Sequence, residues 1–237
     1  MDRKLVNALV AEFLGTFALV FVGVAVVATL TIPNSGGSVV VPALGHGLIV
    51  MGVVFAFGAI SGGHFNPAVT VAMLVAGKIG LVQTILYWLV QFAAAIIAAW
   101  LLSTLIAAAP GLHYGQTLGT LTLNPDGTVN LNNLGAAAIL EAIAVFIFVT
   151  VIYQVAVVGR AGSLAPAAVG FTLAAMILAI GAYTGASLNP ARTLGPALVA
   201  GDLSYVPAYL VGMFTGGILA GVFNGYLYKP QPPTAES

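Results

Sequence analysis

No cysteine occurs in these 237 residues, and only twelve carry a formal charge, six basic and six acidic. The first absence rules out a disulfide framework, a thiolate metal site and a CxxC redox motif. The second is harder on a soluble fold, because a chain 60% hydrophobic and 5% charged has almost nothing to present to water. It reads as an integral membrane protein. The net charge of zero leaves no electrostatic attraction for nucleic acid. Also missing are a nucleophile beside a base and any His, Asp or Glu spacing that could ligate a metal, so neither an enzyme, a metal nor a cofactor is expected.

Long apolar runs are abundant, over approximately 9–31, 43–60, 82–109, 134–158, 164–182 and 205–228, and each is long enough to cross a bilayer. The first is longer than a signal-peptide core and lacks a cleavage site, so it is read as retained. Arg3, Lys4, Lys78, Arg160 and Lys229 fall at segment ends that six crossings place on one side; Asp126 and Asp202 fall on the other. The positive-inside rule makes the first side, and both termini, cytoplasmic. Pro110 to Asn133, rich in Gly, Thr and Asn, reads as a polar loop outside, and the proline-bearing tail after Tyr228 as disordered.

Asn66-Pro67-Ala68 and Asn189-Pro190-Ala191 are one tripeptide set twice. Asn is a favoured N-cap and Pro a favoured first helical residue, so each opens a helix. The apolar stretch behind each is short, to about Ala76 and about Val199. Such a helix is roughly 15 Å long, half of a hydrocarbon core of about 30 Å. Two half-spans meeting end to end bring two N-termini, with free N–H groups and partial positive charge, to the bilayer midplane.

The chain repeats itself around these tripeptides. Gly58, Gly62 and Asn66 recur as Gly181, Gly185 and Asn189 at an offset of 123, and Glu12 and Phe17 recur as Glu141 and Phe146. Each unit holds three full spans and one half-span, and an odd number of spans inverts the second unit. Inverted repeats with interrupted helices place a substrate path at the repeat interface.

Ser61-Gly62-Gly63-His64-Phe65-Asn66-Pro67-Ala68-Val69-Thr70 and Thr184-Gly185-Ala186-Ser187-Leu188-Asn189-Pro190-Ala191-Arg192-Thr193 resemble the two signature loops of the aquaporin (major intrinsic protein) family. The resemblance runs to about Tyr228. It implies an all-α membrane protein of six transmembrane helices plus two re-entrant half-helices, forming one channel domain over 9–228 after a cytoplasmic segment 1–8. The repeats then cover about 9–109 and 134–228, with 110–133 the extracellular link and 229–237 a cytoplasmic tail. It implies passive flow of water, with ammonia or other small neutral solutes as further permeants, and a homotetramer in the inner or plasma membrane. A glycerol facilitator is the nearest alternative. An inverted-repeat secondary transporter is the rival from another class.

Residue roles follow from the same resemblance. Asn66 and Asn189 form the central constriction, each carbonyl capping its own half-helix and each amide left toward the gap. Arg192 belongs to the outer selectivity filter. Counting twenty residues back from Asn66, and twelve and three back from Asn189, assigns His46, Ile177 and Ala186 as its partners. That set is similar to the plant vacuolar (tonoplast) branch, while Leu210, where water channels usually carry Trp, points mildly elsewhere. Gly62, Gly63, His64, Thr184 and Gly185 are expected to line the path with backbone, and Glu12, Glu141 and Gln91 to brace the loops. Tyr87, Trp88, Tyr226 and Tyr228 suit interfacial belts, and His113 suits a solvated loop.

Overall fold

A computed structural model describes residues 2–30, 37–106 and 115–228, so His113, Lys229 and the tail lie outside the described residues. Among the described residues, eight α-helices follow in order: α1 (Arg3–Thr29), α2 (Val40–Ser61), α3 (Pro67–Val75), α4 (Leu81–Leu105), α5 (Leu134–Ile152), α6 (Ala165–Thr184), α7 (Pro190–Ala200) and α8 (Val206–Val222). Single π-helical turns, Tyr153–Val157 and Phe223–Leu227, prolong α5 and α8. Six helical stretches among the described residues are long and apolar enough to span a membrane. α1 already begins at Arg3, ahead of the apolar run, because Asp2 caps it by accepting from the Lys4 N–H at 3.3 Å.

The half-helices α3 and α7 have 9 and 11 residues, about 14 and 17 Å of rise. Each starts where its Asn side chain accepts from the backbone two residues on: Asn66 from Ala68 N–H at 2.8 Å, Asn189 from Ala191 N–H at 3.0 Å. The preceding full helices stop at Gly62 and Gly185, whose φ values of 91° and 79° lie in the left-handed region where glycine alone is unstrained. The chain can therefore reverse twice within the membrane.

Packing exchanges the two halves. α3 from the first half lies on α8 of the second, and α7 from the second lies on α4 of the first; α2 against α6 and α5 against α8 complete the bundle. Lipid tails are as apolar as leucine, so close approach, not water exclusion, holds such helices together. A Cβ at Gly217 or Gly221 would stand only 2.5 or 2.6 Å from the carbonyl oxygens of Ala68 and Ala72, and one at Gly195 only 2.6 Å from that of Ala95. The half-helices are thus seated backbone to backbone against the spans of the opposite repeat.

Candidate functional site

The exchange brings Asn66 and Asn189 together, and their amides are crossed. Asn66 Nδ2 donates to the Leu188 carbonyl at 2.8 Å, and Asn189 Nδ2 donates to the Phe65 carbonyl at 2.9 Å. Each amide then has one hydrogen left for the path. To offer those carbonyls, Phe65 and Leu188 take left-handed φ values of 48° and 53°. Such a conformation costs about 1–2 kcal/mol in a non-glycine residue. The crossed bonds and the loop braces hold it.

Those braces are the two buried glutamates. Glu12 Oε1 accepts from Ser61 Oγ at 2.7 Å and His64 N–H at 2.9 Å; its Oε2 accepts from Phe65 N–H at 2.7 Å and Gln91 Nε2 at 2.8 Å. Glu141 repeats the pattern with Thr184 Oγ1 at 2.7 Å, Ser187 N–H at 3.0 Å and Leu188 N–H at 2.8 Å. No equivalent of Gln91 donates to it, because Met213 stands at the matching place in α8. Irregular backbone at membrane depth needs internal partners, and the carboxylates supply them.

At the outer end, Arg192 is buried with His46, Ile177 and Ala186. Its Nε donates to His46 Nε2 at 3.2 Å and its Nη1 to the Gly115 carbonyl at 2.6 Å. The Pro42 carbonyl, 2.7 Å from His46 Nδ1, can only accept. The ring is therefore the neutral Nδ1–H tautomer with both nitrogens engaged. Neither ring nitrogen is left free for a passing solute. A second proton would remove the acceptor from Arg192 and set two cations together.

Three cavities lie in file through these residues. An outer one of about 360 Å³ touches His46, Ile177, Gly185 and Arg192. A central one, with about 20 Å³ open to water-sized molecules, touches His46, Gly63, His64, Asn66, Asn189 and Arg192. An inner one of about 600 Å³ touches Gly62, His64 and Lys78. Neighbouring cavities share His46 and Arg192 at one join and Val54, His64 and Ile152 at the other. The waist holds little more than a single file of water.

Some expected residues are placed otherwise. Thr184 does not face this path: its hydroxyl is given to Glu141 and its carbonyl accepts from Tyr209 OH at 2.6 Å. Ala186 lines none of the three cavities and holds a left-handed φ of 43°, matching Gly63 at 64°. Tyr87 and Trp88 are not belt residues. Tyr87 is fully buried and donates to the Ser61 carbonyl at 2.7 Å, and Trp88 Nε1 donates to the Pro67 carbonyl at 3.1 Å. Tyr226 and Tyr228 are exposed.

Sequence reasoning missed the strap over the outer loop. Thr120 and Leu121 donate to the carbonyls of Ala182 and Tyr183 at 2.9 and 3.0 Å, and Gly115 and Thr117 from the same strap reach Arg192 and Thr193. Thr193 continues to Ser187 Oγ, which donates to the Asn189 carbonyl at 2.9 Å. The Tyr87 and Tyr209 braces had a signal in the repeat, since the two tyrosines stand 122 apart; the strap has no repeat counterpart to reveal it.

The description of a major intrinsic protein matches residues 2–224. The chain belongs to this family. Among relatives, a protein named "Probable aquaporin TIP3-2" from Arabidopsis thaliana is 37% identical over 96% of this chain and 87% of its own length. "Aquaporin TIP2-3" from Zea mays is 34% identical over 94% of this chain and 88% of its own length. Of solved structures, the aquaglyceroporin from Plasmodium falciparum superposes with a TM-score of 0.78 at 24% identity, covering 94% of this chain and 96% of that one, which speaks to the fold alone. As a major intrinsic protein, the chain is a multi-pass membrane channel and not an enzyme.

Proposed function

We infer that the protein is a passive channel for water that excludes ions and protons. The observation that carries this reading is the file of cavities narrowing to about 20 Å³ where Asn66 and Asn189 meet. Two amide hydrogens and two half-helix N-termini converge there, so a water passing between them presents its oxygen to both amides and cannot also accept from the next water in line. A proton finds no continuous wire, and a cation meets positive dipoles. Water itself exchanges one set of hydrogen bonds for another.

His46, Ile177 and Arg192, with Ala186 shaping the backbone beside them, form the outer filter in this reading. Neutral solutes of about the size of water, ammonia among them, are the further permeants in this reading, and the filter residues hold back a polyol. Against the coupled-transporter alternative, the buried carboxylates among the described residues, Glu12 and Glu141, are both committed to loop N–H and hydroxyl donors. Both termini face the cytoplasm, on the side of Lys78 and Arg160, and four copies assemble as separate pores. Stopped-flow light scattering of proteoliposomes tests the central claim. Water flux above bare lipid without proton conductance is expected, and its absence sinks the reading; electrophoresis after crosslinking in native membranes checks the tetramer.

A further inference from the structure

We propose that Gly23, on α1, is a positioning residue that sets the aperture by holding the His46 ring back from the path. This rests on the filter reading above. A Cβ built at Gly23 would fall inside van der Waals contact of His46 Nε2, at 2.9 Å from Cδ2 and 3.1 Å from Cε1, and these ring atoms are its three nearest neighbours. Real Cβ atoms essentially never come as close as the contacts to Nε2 and Cδ2 would be, so the bare backbone of α1 is the recess in which the imidazole lies. The recess, the Pro42 carbonyl at Nδ1 and the Arg192 Nε at Nε2 locate the ring from three sides.

The consequence reaches Arg192. Its guanidinium has two anchors, His46 Nε2 and the Gly115 carbonyl, and the first exists only while the ring stays in the recess. A methyl group at position 23 pushes the ring away from α1, toward the cavities that His46 lines on both sides of the constriction. The ring then occupies aperture, and Arg192 pivots on one anchor. Nothing at Gly23 touches solute, so its effect passes entirely through His46.

The test is a double-mutant cycle in proteoliposomes, with water and glycerol permeabilities measured for the wild type, Gly23→Ala, His46→Ala and the double variant. Gly23→Ala is expected to lower water permeability several-fold on the wild-type background and to leave it unchanged on the His46→Ala background, where no ring remains to displace. Equal losses on both backgrounds, or no loss on the wild-type background, overturn the proposal. His46→Ala alone separates it from the filter reading: a raised glycerol-to-water ratio keeps that reading whatever Gly23 does, and an unchanged ratio removes both. Circular dichroism and gel filtration guard against misfolding. A Gly23→Ala chain that folds only when His46 is also Ala supports the recess, and failure of both variants to fold overturns it, because the backbone contact and not the ring would then be what the glycine serves.

Discussion

Single residues here act mostly by being fully committed. Glu12 accepts two donors on each oxygen, whereas Glu141 accepts two on Oε1 and one on Oε2. An amide substituted at either place turns an NH₂ toward buried N–H groups, and each buried donor left unpaired costs about 1–3 kcal/mol. Both Glu12→Gln and Glu141→Gln should therefore lower the thermal midpoint in detergent while the folded fraction still passes water. Glu12→Gln should lower it more, since one hydrogen of the Gln91 amide also loses its acceptor while the other stays on Thr70. The reverse order would show that hydrogen-bond count does not set the strength of these braces. Arg192→Val removes the filter's fixed charge and both of its anchoring bonds. Glycerol flux should then rise about tenfold or more, equivalent to roughly 1.4 kcal/mol off the barrier, with water flux retained. An unchanged glycerol flux in a folded variant would take Arg192 out of the filter.

Among the elements, the half-helices are too short to be stable alone, and what keeps them in place is close backbone contact with the opposite repeat. Gly217 and Gly221 of α8 lie under the Ala68 and Ala72 carbonyls of α3. Gly221→Val should push α3 off its seat, destabilise the protein by roughly 1–3 kcal/mol and reduce water flux in whatever folds. Gly52, whose Cβ would meet nothing within 4 Å, is the control: Gly52→Ala should change neither. Comparable losses for the two variants, followed by gel filtration and stopped-flow, would refute the seating argument. Gly217, Gly221 and Gly225 stand four apart in the sequence, a helical spacing. Which helix they admit was not legible there, because spacing along one helix says nothing about the partner that crosses it.

At the scale of the whole molecule, selectivity depends on bringing together groups from every part of the chain. Water permeation should show a low activation energy with no proton current, because file water trades hydrogen bonds with Asn66 and Asn189 without losing them. Flux measured against temperature, with a pH-sensitive dye inside the vesicles, checks both. A steep temperature dependence or acidification would contradict the waist geometry. Composition, run length and the doubled Asn-Pro-Ala determined by themselves that this chain spans a membrane six times, carries two half-helices and repeats in inverted order. Those are properties of local propensity and periodicity, and they need no knowledge of neighbours. The resemblance of the two loops to those of the family is what singled out His46 and Arg192 along the sequence. Only the tertiary structure decided that each Asn amide is crossed to the other loop's carbonyl, that Tyr87 and Tyr209 are braces, that Thr184 turns away from the path, and that His46 spends both nitrogens on protein. Each of these depends on which of several equally polar groups lies within hydrogen-bond reach, and for the crossed amides and the His46–Arg192 contact that group stands more than a hundred positions away in the chain.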